Sequence, residues 1–298
     1  MLGELAPQSP SGAYVRPAPQ TGSSTPPELA VDGSYVLYVG NACPWCHRTK
    51  LARALRGARD FIEVVDMDDD PTKARRGGWS FSRAAPDPVF GEADLKGVYD
   101  ALGVGGRCTA PLLVDKSSKA FVSNESGDIV RALVEYRGPR AASDANLRPP
   151  ALRAAIDAWN RKIYERVNNG VYRAGFATRQ GPYEEAVADV FAGLRELDAA
   201  LAKSAFVCGD AVTEADVFLL PTVERFDGCY APLFLRTTTT VRHDYPNVEK
   251  WRARMRDMPG VAATVDARAA ARSYYTSLFP LNPSGIVPVF PSSTPGGT

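Results

Sequence analysis

An α/β domain followed by an all-α domain is the organisation predicted by this 298-residue sequence, and three observations carry it. Short strand-like apolar runs alternate with helical spacing between residues 34 and 137. A proline-rich stretch interrupts the chain near residue 140, and everything after it is helical in pattern. At about 150 residues per domain, the length suits two units.

Residues 1–33 are rich in Pro, Ser and Gly. They cannot offset their ordering entropy by burial and are expected to be mobile or draped over a surface. Tyr35 to Val39 reads as a buried strand, punctuated by Asn41 to Pro44, and Trp45 to Arg56 has helical spacing ending at Gly57. Phe61 to Val65 is a second strand. A polar excursion containing Gly77 and Gly78 fills residues 66–93, and Ala93 to Leu102 is a helix candidate. Leu112 to Val114 and Ala120 to Val122 form a hairpin around the turn Lys116 to Lys119, and Ser126 to Tyr136 completes a helix. The order β-α-β, helix, β-β-α is the thioredoxin-like arrangement.

Pro139, Pro149 and Pro150 mark a linker over residues 138–149. In Tyr183 to Lys203, Val187, Val190, Phe191, Leu194, Leu197 and Leu201 recur at three- and four-residue steps and share one face. Thr213 and Asp216 form a capping-box variant at the start of a helix that Pro221 is expected to kink. Pro246 to Asp257 and Val261 to Arg272 read as two further helices, and from Pro280 the chain is extended again. The expected boundaries are a flexible segment 1–33, an α/β domain 34–137, a linker 138–149, an all-α domain 150–279 and a tail 280–298.

A formal charge of +1 gives no basic stripe for phosphates, which argues against nucleic acid as a partner. No apolar run approaches the roughly 18 residues a membrane helix needs. Two histidines, His47 and His243, leave little room for a multi-His metal site or a His-based triad. Five cysteines are an odd number and no disulfide framework, so a reducing compartment, taken as the cytoplasm, is expected. An organelle such as the plastid stays open. The N-terminus shows no secretory signal.

The chemistry concentrates at Cys43-Pro44-Trp45-Cys46, where the first strand hands over to the first helix. Cys43 would be the N-cap and Pro44 the first helical residue, with the free amides of Trp45 and Cys46 directed at the Cys43 sulfur. Those amides, the helix dipole and nearby Arg48 and Lys50 favour the thiolate, bringing its pKa below about 8.5. Cys43 is thus the expected nucleophile, and Cys46, one turn in and less exposed, is a candidate resolving thiol. A zinc half-site is the alternative reading of such a pair. Cys108, Cys208, Cys229, His47 and His243 supply no second pair at suitable spacing, so no metal is expected. His47 reads as a solvent-facing helix residue.

Thr109-Ala110-Pro111-Leu112 precedes the third strand, and Pro111 is a candidate cis-proline beside which the Ala110 backbone can pair with an extended ligand. Ser123-Asn124-Glu125-Ser126 opens the next helix, whose amides and Ser126 hydroxyl can receive a carboxylate while Glu125 accepts from an ammonium. An EF-hand register from Asp66 places Pro71 where glycine is needed and Gly77 where glutamate is needed. Gly103 to Gly106 lacks the Lys-Ser/Thr of a phosphate loop and reads as a helix stop.

Several segments together resemble the xi-class glutathione transferases, which comprise the glutathionyl-hydroquinone reductases. They are Cys43-Pro44-Trp45 with His47-Arg48-Thr49, Gly78-Trp79, Ser123 to Ser126, Asn168 to Tyr172 with Ala174 to Ala177, Arg225-Phe226-Asp227 with Tyr230, Tyr274-Tyr275, Asn282-Pro283 and Gly285 to Pro288. The resemblance spans residues 34–290 and implies an all-helical glutathione-transferase C-terminal domain, with glutathione as co-substrate and glutathionylated hydroquinones as substrates. It also implies a homodimer. Under it, Cys43 attacks the glutathione sulfur and forms a mixed disulfide that a second glutathione resolves. Trp79 covers the glutathione, while Arg107, Cys108, Thr109, Ala110, Glu125 and Ser126 hold it. Tyr172 exchanges a proton with the hydroquinone, Tyr230 and Tyr274 hydrogen-bond near the thiolate, and Tyr275 is the lesser candidate of the adjacent pair. Two departures are Cys46, where the family usually has alanine, and Ala110, where it has valine. The second thiol opens an alternative, a glutaredoxin-like or dehydroascorbate-reducing, omega-type thiol transferase using Cys43 and Cys46.

Overall fold

A β-branched and aromatic run with no polar interruption makes Tyr35–Gly40 a strand, β1, buried on both faces. The structure is a computed structural model that describes residues 6–17, 26–68, 78–141, 145–278 and 281–289. Gly77 and parts of the N-terminal segment, the polar excursion, the linker and the tail lie outside them.

Helix α1, Pro44–Leu55, follows β1, and strand β2, Ile62–Met67, returns parallel to β1 with Tyr35 opposite Ile62. After α2, Leu95–Ala101, strand β3, Leu112–Asp115, runs antiparallel to β1 and pairs with β4, Ala120–Ser123. The sheet order β2-β1-β3-β4, closed by helix α3, Ser126–Glu135, is the thioredoxin-like layout expected.

Alternation along β1 divides the core between two faces. Val36 and Tyr38 pack with Leu112, Val114, Val98 and Tyr99 on one side. Leu37 and Val39 pack with Leu51, Ile129 and Leu133 on the other, and that core runs on into the helical domain through Leu194, Leu219 and Trp251. The position of α1 relative to the helical domain is set by this shared apolar interior, as in other layered domains.

The second domain comprises α4, Arg153–Lys162; a wider π-type turn, Ile163–Asn168; α5, Gly170–Gly175; α6, Gln180–Leu201; and α7, Glu214–Arg225. A second π-type segment, Phe226–Phe234, leads to α8, Val241–Asp244; α9, Pro246–Asp257; and α10, Ala267–Ser277. Asp216 caps α7 as expected, its carboxylate accepting from the Thr213 amide at 2.8 Å, and also accepts from the Trp251 indole at 2.8 Å.

One local expectation is corrected. The segment Val261 to Arg272 is not one helix: a short 3-10 turn, Ala262–Thr264, precedes α10, because Asp266 caps a new helix by accepting from the Ala269 amide. Pro221 lies inside α7, which continues to Arg225, and the Pro221 carbonyl accepts from the Arg225 guanidinium. Residues 6–17 lie against the helical domain. Gln8 donates to the Phe176 carbonyl at 2.8 Å, and the Gly12 carbonyl accepts from the Thr178 amide at 2.9 Å. Among the described residues no helix is long and apolar enough to cross a membrane.

Candidate active site

The strand-to-helix junction places the reactive sulfur as the sequence suggested. Cys43 caps α1 in an extended conformation with Pro44 as the first helical residue, and its side chain is partly exposed. The fully buried Cys46 thiol donates to the Cys43 sulfur, the amides of Cys46 and Trp45 also point at it, and the Arg225 cation lies nearby. Together these outweigh the burial that opposes ionisation and draw the Cys43 pKa down to about 7. Burial and the neighbouring thiolate push Cys46 up, so it stays a protonated donor. Cys46→Ala removes that donor, and the pH midpoint of iodoacetamide labelling of Cys43 should rise by about one unit. An unchanged midpoint would show that the amides alone hold the charge.

The supporting cations differ in part from those expected. Lys50 pairs with Asp66 at 2.7 Å, while Arg48, as expected, interacts with the Cys43 charge and is joined by Arg225 at the end of α7. Its guanidinium donates to the Ala42 carbonyl at 3.0 Å and the Asn41 carbonyl at 2.6 Å, and meets His47 Nδ1 at 2.9 Å. His47 is therefore not solvent-facing. It is 3% exposed, held between Arg225 and the Thr264 hydroxyl at 3.0 Å, and kept neutral by burial and by that cation. The helical domain thus fixes the loop that carries Cys43.

Beside the sulfur is a cleft of about 370 Å³, within the range of roughly 300–1,000 Å³ typical of small-molecule sites. Arg107, Thr109, Ala110, Glu125 and Ser126 line it, as the sequence suggested. The Ala110-Pro111 bond is cis, and the Cys43 thiol lies 3.7 Å from the Ala110 carbonyl on the cleft wall. Glu125 is the N-cap of α3 and accepts from the Gly127 amide at 3.1 Å, leaving the Ser126 end of the helix facing the cleft. Trp79, Cys108 and Cys43 itself are not among the residues that line the cleft. Trp79 lies with its ring against Gly40, so close that a Cβ at that glycine would collide with the indole. Cys108 packs at the edge of the second core.

Tyr172, Tyr230 and Tyr274 form a closed triangle of hydroxyls, with Tyr172 2.6 Å from Tyr274 and 3.4 Å from Tyr230, and the last two 2.9 Å apart. The Tyr230 and Tyr274 hydroxyls meet that of Tyr172, the member that feels the Cys43 charge. Burial and that charge push the Tyr172 phenol up to about 12, so it is a proton donor throughout the neutral range. Tyr275 is buried beside the triangle, its carbonyl accepting from Asn282.

Five cleft residues were missed by sequence reasoning: Tyr14, Arg16, Pro17, Trp45 and Tyr164. The Trp45 ring stacks on Tyr172 at 6.2 Å, and its place inside the cysteine motif was a usable signal. Tyr14 and Arg16 carried none, since they sit in a Pro- and Gly-rich segment without periodicity. Arg48, 5% exposed, lies over Trp45 at 4.6 Å and Phe218 at 4.3 Å. Burial pulls its pKa down to about 9. Among the described residues no group of acidic, Cys and His side chains is arranged to hold a metal.

A thiolate at a helix N-terminus, next to the Ala110 wall of a cleft between a thioredoxin-like sheet and a helical domain, defines a thiol-dependent transferase in chemical class. Two family models match: "Glutathione S-transferase, N-terminal domain" over residues 42–135 and "Glutathione S-transferase, C-terminal domain" over residues 180–254. The glutathionyl-hydroquinone reductase PcpF of Sphingobium chlorophenolicum is 38% identical over 87% of this chain and 83% of its own, and YqjG of Escherichia coli 37% over 88% and 81%. Among solved structures, the xi glutathione transferase of Phanerochaete chrysosporium superposes with a TM-score of 0.84 at 32% identity, covering 96% of this chain and 95% of that one. Glutathione-bound YqjG gives 0.81 at 36%, covering 95% and 91%. The chain belongs to the xi-class glutathione transferases, the family of the glutathionyl-hydroquinone reductases.

Proposed function

We propose that this protein removes glutathione from glutathionyl-hydroquinones, with Cys43 as nucleophile and Tyr172 as proton donor. The observation that carries the reading is the joint placement of a stabilised thiolate at a helix N-terminus and a protonated phenol within reach of its field. The thiolate attacks the glutathione sulfur, and the sulfur–aryl bond breaks with its electron pair on the ring carbon. Tyr172 gives that carbon its proton, and hydroquinone leaves. A second glutathione passes its thiol proton to the Tyr172 oxygen and attacks the mixed disulfide, releasing oxidised glutathione and restoring the Cys43 thiolate. Arg107, Thr109, Ala110, Glu125 and Ser126 hold the tripeptide, and Tyr230 and Tyr274 steady the Tyr172 oxygen by donating to it. The family resemblance further points to a homodimer, and the odd number of cysteines to a reducing compartment such as the cytoplasm.

Tyr172→Phe should slow hydroquinone release from glutathionyl-menadione by between about 10²- and 10⁴-fold, the range for a lost general acid. Reduction of a glutathionylated peptide, which needs no carbon protonation, should stay within about twofold because Cys43 chemistry is intact. Unchanged hydroquinone release would reject the role of Tyr172. The contact between Cys46 and Cys43 favours a second activity, glutaredoxin-like thiol transfer, in which Cys46 displaces glutathione from Cys43 as an internal disulfide forms.

A further inference from the structure

We infer that Arg16, on the N-terminal segment, is a positioning residue that offsets the negative charge left on the Tyr172 oxygen when that phenol protonates the departing ring. The inference rests on the Tyr172 role proposed above. Its guanidinium carbon lies 5.6 Å from the centre of the Tyr172 ring and 4.1 Å from that of Trp45, which stacks on Tyr172. Among the described residues no carboxylate pairs with Arg16; its side chain donates instead to the Tyr14 hydroxyl. A cation left without a carboxylate beside a buried phenol is placed for charge that develops elsewhere.

The segment is anchored where this requires. Gln8 donates to the carbonyl of Phe176, one turn beyond Tyr172, and the Tyr14 ring lies 5.5 Å from that of Phe176. Arg16 is therefore tied to the same end of α5 that presents Tyr172. The other groups around Tyr172 do not supply a cation at its ring. Tyr230 and Tyr274 offer only hydroxyls, Cys43 is negative, and Phe234 and Phe176 are apolar. Arg225 acts on Tyr230, Tyr274 and Cys43, and Arg48 faces Trp45 and Phe218.

The charge balance follows from the reaction. Before attack one negative charge sits on the Cys43 sulfur. Once the sulfur–sulfur bond has formed and the ring carbon holds the phenolic proton, that charge sits on the Tyr172 oxygen. It stays there until the second glutathione thiol returns a proton. Arg16 faces the place where the charge arrives, and Arg225 the place it leaves.

Arg16→Gln should lower kcat for glutathionyl-menadione roughly tenfold, as expected when a unit charge is removed from beside the Tyr172 ring, whose centre is 5.6 Å from it, at a dielectric between protein and water. The KM for glutathione should move by less than about twofold, and Arg16→Lys, which keeps the charge but not the planar contact with Trp45, should recover part of kcat. In a Tyr172→Phe background, Arg16→Gln should cause no further loss, since the charge it serves no longer forms. A loss of equal size in that background, a change in KM alone, or unaltered kcat in Arg16→Gln would overturn the inference. Failure of the Tyr172 role would be seen separately, as Tyr172→Phe retaining full hydroquinone release.

Discussion

Cys43→Ser is expected to leave less than about one thousandth of the wild-type rate of hydroquinone release, because a hydroxyl at this helix end stays protonated and cannot form the mixed disulfide. Incubation with glutathionyl-menadione followed by intact-mass measurement should give a glutathione adduct on the wild-type protein and none on the variant. The pH profile of wild-type labelling by iodoacetamide fixes the cause. The Cys43 pKa lies at about 7, below the ordinary thiol value. Labelling should thus be slow at pH 5, half-maximal near 7 and on its plateau by pH 9, where thiolate replaces thiol. A midpoint above 8.5 would mean that the helix end and Cys46 do not stabilise the charge, and the nucleophile would need another activator.

Arg225→Ala should be the most damaging single change outside the cysteine pair. It removes the donor to the carbonyls of Asn41, Ala42 and Pro221 and to His47 in a region closed to water. With buried acceptors each costing about 1–3 kcal/mol when stranded, a loss of at least about 3 kcal/mol is expected, read as a lower urea midpoint. The labelling midpoint of Cys43 should rise as well, since this cation helps hold its charge. A variant as stable as wild type would show that water replaces the guanidinium and that the helical domain does not fix the catalytic loop.

The sheet and the cysteine-bearing helix were legible because their signals are local. Val36 to Val39 has nowhere to be but a buried strand, and Cys43-Pro44 can only open a helix. The capping pair Thr213 and Asp216 was equally local. What escaped depended on distant parts of the chain. His47 looked like a surface residue until Arg225, 178 positions away, was brought to its ring. The Trp79 ring rests on Gly40, a contact no spacing predicts. The break before α10 lay in a capping aspartate, Asp266, inside a stretch whose apolar residues alone suggested one continuous helix. Tyr230 and Tyr274 were found by resemblance, but their joint engagement of Tyr172 needed three separate helical segments in one place.

The regions that match the generic transferase domains, 42–135 and 180–254, include Cys43 but leave out Arg16, Tyr172 and Tyr274. The part of the proposed site that grips and ionises sulfur thus falls within the superfamily-wide regions, whereas of the residues proposed to handle the quinol only Tyr230 does; the others sit in the opening segment, an early helix of the second domain and the last helix. Divergence in those outlying stretches could retune which aromatic leaving group is accepted while leaving the thiol machinery untouched.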